Sequence, residues 1–120
     1  MATATKSSRQ LISNGSISSS NSSSGSQDIS TALGGTLTAL IGIGSSNDGT
    51  ASTVVVEVSD DGATWREFSK VESGTSTSTD YEFVFEIPAS VMHLKTTINN
   101  NDSNNSITGE ATLQELTSIG

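Results

Sequence analysis

The sequence predicts an all-β protein built as an antiparallel sandwich. Several segments alternate apolar and polar residues with a period of two, which is typical of strands with one face in water. No stretch shows the apolar spacing of three and four residues that a long helix requires. The connecting segments are rich in Gly, Asn, Asp and Ser, and the chain has a single proline, Pro88.

Five segments carry the strand pattern clearly, and three carry it weakly. In the first clear segment, Leu37, Ala39, Ile41 and Ile43 share one face. The clear segments are Thr36–Ile43, Thr53–Ser59, Asp80–Ile87, Val91–Ile98 and Ile107–Leu113; the weaker ones are Gln10–Ile17, Gln27–Thr31 and Trp65–Lys70. Eight short strands with polar turns favour a compact eight-stranded jelly roll. An immunoglobulin-like sandwich, with Trp65 as a core tryptophan, is the alternative.

The apolar strand faces define the predicted core. It lies between two sheets and contains Val54, Val56, Val58, Tyr81, Phe83, Phe85, Ile87, Leu94 and Leu113. With these residues in the core, little large apolar surface is left for a partner. We therefore expect any interface to consist of polar loops, strand edges and the N-terminal segment.

The first 26 residues differ in composition from the rest. Twelve of the first 30 residues are Ser, and the segment up to Gln27 carries a charge of +2 while the remainder carries −10. We predict an extended Ser-rich N-terminal arm at residues 1–26 and a jelly-roll body at residues 27–120. The arm would serve assembly more than folding, and its candidate interface residues are Lys6, Arg9, Leu11, Ile12 and Ile17.

Composition excludes several classes of function. A net charge of −8 disfavours nucleic-acid binding, because phosphate contacts need clustered Lys and Arg. The chain has no Cys and no run of apolar residues long enough for a membrane span, so we expect no disulfide, thiolate metal site or membrane insertion. The N-terminus lacks the apolar region of a secretion signal, which predicts synthesis in a cytoplasm.

The most specific string in the sequence is Ser59-Asp60-Asp61-Gly62-Ala63-Thr64-Trp65. We interpret it as a hairpin turn in which Ser59 and Asp61 bond turn amides, Gly62 takes a positive φ and Trp65 packs beneath. The string resembles the hairpin of discoidin-like carbohydrate-binding jelly rolls and the Asp-box of sialidases, although it is one residue short of the latter. The resemblance covers about 15 residues and implies a structural turn, with a ligand site as the alternative.

No reaction chemistry is legible, so we predict that the protein is not an enzyme and needs no cofactor. His93 is the single histidine and is predicted to point away from the core, and Glu57, Glu82 and Glu86 lack the aromatic platform of a glycosidase. Three loop segments offer oxygen ligands for Ca²⁺, but none matches a known calcium loop, so we interpret them as solvated turns. These segments are 47–49, 60–61 and 99–105.

Taken whole, the chain resembles small capsid cement or decoration proteins of tailed bacteriophages. The resemblance rests on the all-β body of about 120 residues, the lack of Cys, the Ser/Thr/Asn/Gly-rich composition, and the segments Val54–Phe68, Tyr81–Ile87 and Gly109–Leu113. It implies a subunit, trimeric by analogy, that sits on the outer capsid surface of the virion and stabilises the shell by bridging major capsid proteins. Its implied partners are further copies of itself and the major capsid protein. The alternatives are a carbohydrate-binding or adhesion module and another phage structural subunit, such as a head–tail connector, tail or fibre protein.

Overall fold

The computed structural model describes residues 4–119, which form eight β-strands joined by turns and loops. The strands are β1 Ala4–Ile17, β2 Ser22–Asp28, β3 Gly35–Ile43, β4 Thr53–Ser59, β5 Arg66–Glu72, β6 Thr79–Ile87, β7 His93–Asn99 and β8 Ile107–Ile119. Among these residues, no helix is long and apolar enough to cross a lipid bilayer.

The strands form two antiparallel sheets that pack as a sandwich. Sheet 1 has the order β1-β8-β3-β6, and sheet 2 has the order β2-β7-β4-β5. Only the β4–β5 hairpin joins neighbours within a sheet; every other connection between these strands crosses to the opposite sheet. This alternation is a jelly-roll topology and confirms the predicted fold class. In the immunoglobulin-like alternative the first two strands would be neighbours in one sheet.

The five clear strand predictions are confirmed, with small shifts at their ends. The prediction for β4 matches its observed bounds, and those for β3 and β6 begin one residue late. The largest difference is β8, which continues to Ile119 instead of ending at Leu113. Its polar second half gives no apolar alternation, but it pairs with β1 as far as Ala4, and that partner extends the strand.

The core is the predicted one in its centre and differs at its margins. Of the predicted core residues, Val54, Leu94 and Leu113 are fully buried. Leu37 and Ile41 of β3 are fully buried beside them. Val58, Tyr81 and Phe83 are only partly buried and pack against the edge of the core. Tyr81 and Phe83 lie on β6, an edge strand that lacks a neighbour on one side to cover their side chains. The sandwich therefore buries central strands more completely than edge strands.

The N-terminal segment supplies one strand to each sheet, whereas the prediction placed it in an arm outside the body. Residues 4–17 form the edge strand of sheet 1, and residues 22–28 form an edge strand of sheet 2, so the predicted boundary at residue 26 falls inside β2. Ile12 and Ile17 are 4% and 6% exposed and join the core. These two residues anchor a strand whose serines carry almost no apolar signal. Removing residues 1–26 would thus take one strand from each sheet.

Candidate functional site

The hairpin between β4 and β5 closes one end of sheet 2. The Ser59 Oγ accepts hydrogen bonds from the backbone N–H of Asp61 at 3.2 Å and of Gly62 at 2.9 Å. The Asp61 Oδ1 accepts from the N–H of Ala63 at 2.8 Å and of Thr64 at 2.9 Å. Gly62 has a φ of +77°, a conformation that side-chain-bearing residues rarely adopt. The turn thus satisfies its own backbone donors.

The electrostatics of this turn centre on Asp61. The backbone hydrogen bonds from Thr64 and Ala63, with a further one from the Ser59 hydroxyl, lower the pKa of Asp61 from 3.8 to about 2. These donors stabilise the charged carboxylate and so hold it ionised well into acid. All of these donors belong to the turn, so the main role of the Asp61 carboxylate is to stabilise the turn.

Trp65 lies beside the turn and outside the buried core. Its ring is half-buried, and the Lys95 Nζ sits 4.7 Å from the ring centroid in a cation–π arrangement. The same ammonium lies 3.8 Å from the Glu57 Oε1. Lys95 therefore covers the outer side of the indole, which leaves Trp65 poorly placed as an open platform for a planar ligand.

A groove of about 380 Å³ runs along the same hairpin and is open to solvent. Asp60, Thr64 and Arg66 give it a polar side, and Val91 and Met92 give it an apolar one. Met92 is 41% exposed, although the alternation predicted for Val91–Ile98 puts it on the same face as the buried Leu94. It precedes the first residue of that strand, His93, where the alternation of faces has not yet begun.

A second polar structure closes the opposite end of sheet 2, where two loops meet. Asp102 is fully buried and accepts hydrogen bonds from the backbone N–H of Asp48, Asn104 and Asn105, at 2.8–3.0 Å. Burial raises the pKa of Asp102, but the hydrogen bonds from Asn104, Asn105 and Asp48 outweigh it and bring the value to about 2. The buried Asn100 donates through Nδ2 to the carbonyls of Ile17 and Asn105.

This loop network, defined by Asp48, Asn100 and Asp102, brings together two of the three candidate calcium segments. The Asp48 Oδ2 accepts from the N–H and hydroxyl of Ser103, and its Oδ1 accepts from the Thr50 N–H. The carboxylates are therefore occupied by donors of their own loops. Within residues 4–119, no group of three or more His, Asp or Glu side chains could hold a metal ion. Of the three carboxylates considered for glycoside chemistry, Glu57 lies on sheet 2, whereas Glu82 and Glu86 lie on sheet 1.

The predicted interface residues of the N-terminal segment divide into two groups. Ile12 and Ile17 are buried in the core of their own chain, and Leu11 packs partly against that core, so the apolar members support β1 itself. Lys6 is exposed and lines a shallow groove of about 230 Å³ on the outer face of sheet 1. The Arg9 Nε lies 3.1 Å from the buried carboxylate of Glu115, in an ion pair that lacks hydrogen-bond geometry. The basic residues are thus the members that face solvent.

No protein-family model matches the sequence, and no curated protein matches it. Solved structures share its fold. A chain of the T13 infectious bursal disease virus particle has a TM-score of 0.66 and 14% identity, covering 94% of this chain and 31% of that one. A Bacillus endospore appendage protein from disulfide-linked pili has a TM-score of 0.56 and 11% identity, covering 97% and 92%.

A C-terminal family 22 carbohydrate-binding module of Clostridium thermocellum Xyn10B has a TM-score of 0.52 and 10% identity, covering 98% of this chain and 86% of that one. This chain spans about a third of the viral chain's length. At such low identity these likenesses establish only the jelly-roll fold. Any argument about function must therefore come from the surface of this chain.

Proposed function

We propose that the protein is a structural subunit of a virion, a capsid cement protein that binds the outer surface of a shell and stabilises it by bridging major capsid proteins. Its partners are the major capsid protein and further copies of the same chain. A cement subunit stabilises a shell by burying extra interface across the joints between capsid proteins, and it needs no reaction chemistry to do so.

The observation that carries this proposal is the distribution of apolar residues. The large apolar side chains fill the core, and those exposed among the described residues are Leu33, Phe68, Val84 and Met92, which lie on separate elements. No two of them belong to the same strand or loop, so no strand presents a row of apolar side chains to a partner. A surface of this kind suits a protein that makes many weak, polar contacts at once and gains strength from multivalency.

Strands β1 and β6 stand at the edges of sheet 1, and β2 and β5 at the edges of sheet 2. Exposed edges present unpaired backbone N–H and C=O groups, which pair readily with another chain. The likeness to a chain of a viral particle supports a structural role in a virion, because that chain has the same fold and is part of such a particle. The host cytoplasm is the proposed site of synthesis, and the virion surface is the proposed destination.

The test is binding of the purified protein to undecorated shells and to isolated capsid subunits. A cement protein should bind shells far more tightly, because several sites are engaged together, and decorated shells should withstand higher temperature before releasing DNA. Equal affinity for shells and free subunits, or no gain in shell stability, would contradict the proposal.

A carbohydrate-binding module is the second candidate, and the groove beside the hairpin is the observation in its favour. Asp60 and Arg66 could hydrogen-bond sugar hydroxyls above the apolar Val91 and Met92. The test is a glycan array read with the wild-type protein, the R66A variant and the K70A variant. Lys70 is also an exposed basic residue of β5 but is not among the groove's lining residues, so binding lost in R66A alone would favour this function.

A further inference from the structure

We infer that copies of this protein associate head to tail through sheet 1, with the β1 edge of one copy pairing with the β6 edge of the next. Sheet 1 would then continue from copy to copy. This association specifies the self-assembly included in the proposed function and rests on it for the expectation that copies meet. The geometry and charges of the two edges identify the contact.

Both edges are available over a regular stretch. In β1, residues Lys6–Gln10 pair with β8 without a register shift. Further along, Gly25 of β2 lies against the carbonyl of Leu11, so the free part of the β1 edge is its first half. In β6, the pairing with β3 is unbroken from Thr79 to Ile87. Register shifts bound the β1 stretch on both sides, but between them the edge is regular and can act as a template for another strand.

The strand directions match in a head-to-tail contact. Sheet 1 has four antiparallel strands, so β1 and β6, at its two edges, run in opposite directions. Rotating a second copy about an axis parallel to the strands brings its β6 beside β1 as an antiparallel neighbour. Such a contact uses two different surfaces and closes into a ring when the rotation permits.

The charges on the two edges are sorted by sign. The free part of β1 carries Lys6, together with Arg9, which is already paired with Glu115 of its own copy, and no acidic residue; β6 carries Asp80, Glu82 and Glu86 and no basic residue. Pairing β1 with β1 would place cations together, and pairing β6 with β6 would place carboxylates together. Like charges across a strand pair are destabilising, and opposite charges are stabilising. Only the β1–β6 contact brings opposite charges together.

The edges of sheet 2 show no such sorting. β5 mixes basic and acidic residues, with Arg66, Glu67, Lys70 and Glu72 along one strand. β2 carries a single charge, at Asp28. Neither edge therefore selects a partner edge by charge, and the sign separation is a property of sheet 1.

The register of sheet 1 shows which residues would approach. Ser8 pairs with Gln114, Gln114 with Thr36, and Thr36 with Glu86, so Ser8 and Glu86 end the same cross-strand row. Lys6 lies two residues from Ser8, within reach of Glu86 of the next copy. Gln10 and Val84 end the neighbouring row, and Val84, 57% exposed, would be covered by the incoming strand.

The first test is sedimentation of the purified protein across a concentration series, without shells. K6E should weaken association about tenfold, and adding E86K in the same chain should restore it, because the opposite charges meet again in exchanged positions. K70E changes the net charge equally on the other sheet and should leave association unchanged. A monomeric wild-type protein, or equal effects of K6E and K70E, would overturn the inference.

The second test is a disulfide trap, for which the lack of native cysteine is convenient. Within one copy, positions 8 and 86 are three strand spacings apart, about 14 Å, which is too far for a disulfide. Oxidised S8C/E86C should therefore give linked oligomers, and a mixture of the S8C and E86C single variants should give mixed dimers. The S8C/K70C variant should give neither product. Absence of linkage in S8C/E86C would contradict the β1–β6 contact.

The two proposals fail separately. A protein that forms these oligomers but ignores shells would overturn the cement function and leave the edge contact standing. A protein that binds shells as a monomer, with no effect of K6E on either measurement, would overturn the edge contact alone.

Discussion

At each end of sheet 2, an aspartate carboxylate accepts hydrogen bonds from backbone N–H groups of the connecting segments. The two ends differ in how deeply the carboxylate is buried and in how far along the sequence its donors lie. At the hairpin end, Asp61 is exposed and binds N–H groups two and three residues ahead of it in the sequence. At the loop end, Asp102 is fully buried and binds both its own loop and Asp48, which is 54 residues away. Both carboxylates have pKa values lowered to about 2. The hairpin is a local device, whereas the loop network fastens distant segments together.

This difference predicts that changes in the loop network cost more stability than changes in the hairpin. A buried donor or acceptor that loses its partner has no water to replace it, whereas an exposed turn can rehydrate. The loop network also joins β1, through the Ile17 carbonyl, to the loop before β8. Loss of the loop network should therefore destabilise both sheets.

The largest effect is expected for N100A. Asn100 is 1% exposed, donates to two carbonyls and accepts from the Asp102 N–H at 3.0 Å. Removing this amide should lower the free energy of unfolding by about 3 kcal/mol, because buried groups are left without partners. Urea unfolding measures the change, and N104A, an exposed Asn of the same loop, is the control with a change near zero. Equal losses in the two variants would remove the distinction between buried and exposed amides.

A smaller effect is expected for G62V in the hairpin. A β-branched residue at a φ of +77° costs on the order of 2 kcal/mol, and its Cβ would also lie 3.3 Å from the His93 ring. The control is G44V, at a loop glycine where an added Cβ meets nothing within 4 Å. Thermal unfolding should show a clear decrease for G62V and little change for G44V. An unchanged melting temperature for G62V would mean that the turn does not need a positive φ.

The smallest effect concerns pH and Asp61. Its pKa is about 2 when folded and 3.8 as the ordinary value, so its contribution is present above pH 3.8 and is lost as pH falls toward 2. D61N should therefore lose stability at neutral pH and show a shallower fall in melting temperature between pH 4 and 2. D102N should flatten the same window independently, because the two carboxylates lie at opposite ends of sheet 2. An unchanged slope in D61N would show that the turn does not hold the carboxylate ionised.

The same contrast explains how far the sequence could predict the molecule. Alternation in Leu37–Ile43 and Val54–Val58 is a local pattern, and it correctly indicates strands. The spacing of Ser59, Asp61 and Gly62 is also local, and it indicated the turn. The sequence indicates only a polar loop at Asn100 and Asp102. No residue nearby in the sequence shows that Asp48 and Ile17 contact them in the folded protein. Their one local signal is the Asn-x-Asp spacing, in which the Asn100 Oδ1 accepts from the Asp102 N–H.

The sequence indicates only part of the N-terminal strand, at Gln10–Ile17, for a related reason. Its serines have no periodic apolar signal, so only Ile12 and Ile17 mark its buried points. What makes residues 4–17 a strand is the long partner β8, which begins 90 residues after β1 ends. Composition alone therefore favours an extended arm outside the body.

The position of β8 has a consequence for how the protein is made. β8 is the last strand of the described chain, yet it lies inside sheet 1, between β1 and β3. Until residues 107–119 have left the ribosome, β1 has no neighbour in its sheet and β3 has one side open. Sheet 1 must therefore close after synthesis of this segment, by inserting its final strand between two waiting ones. Such non-local closure is slow, and until it is complete the new chain exposes unpaired strand edges.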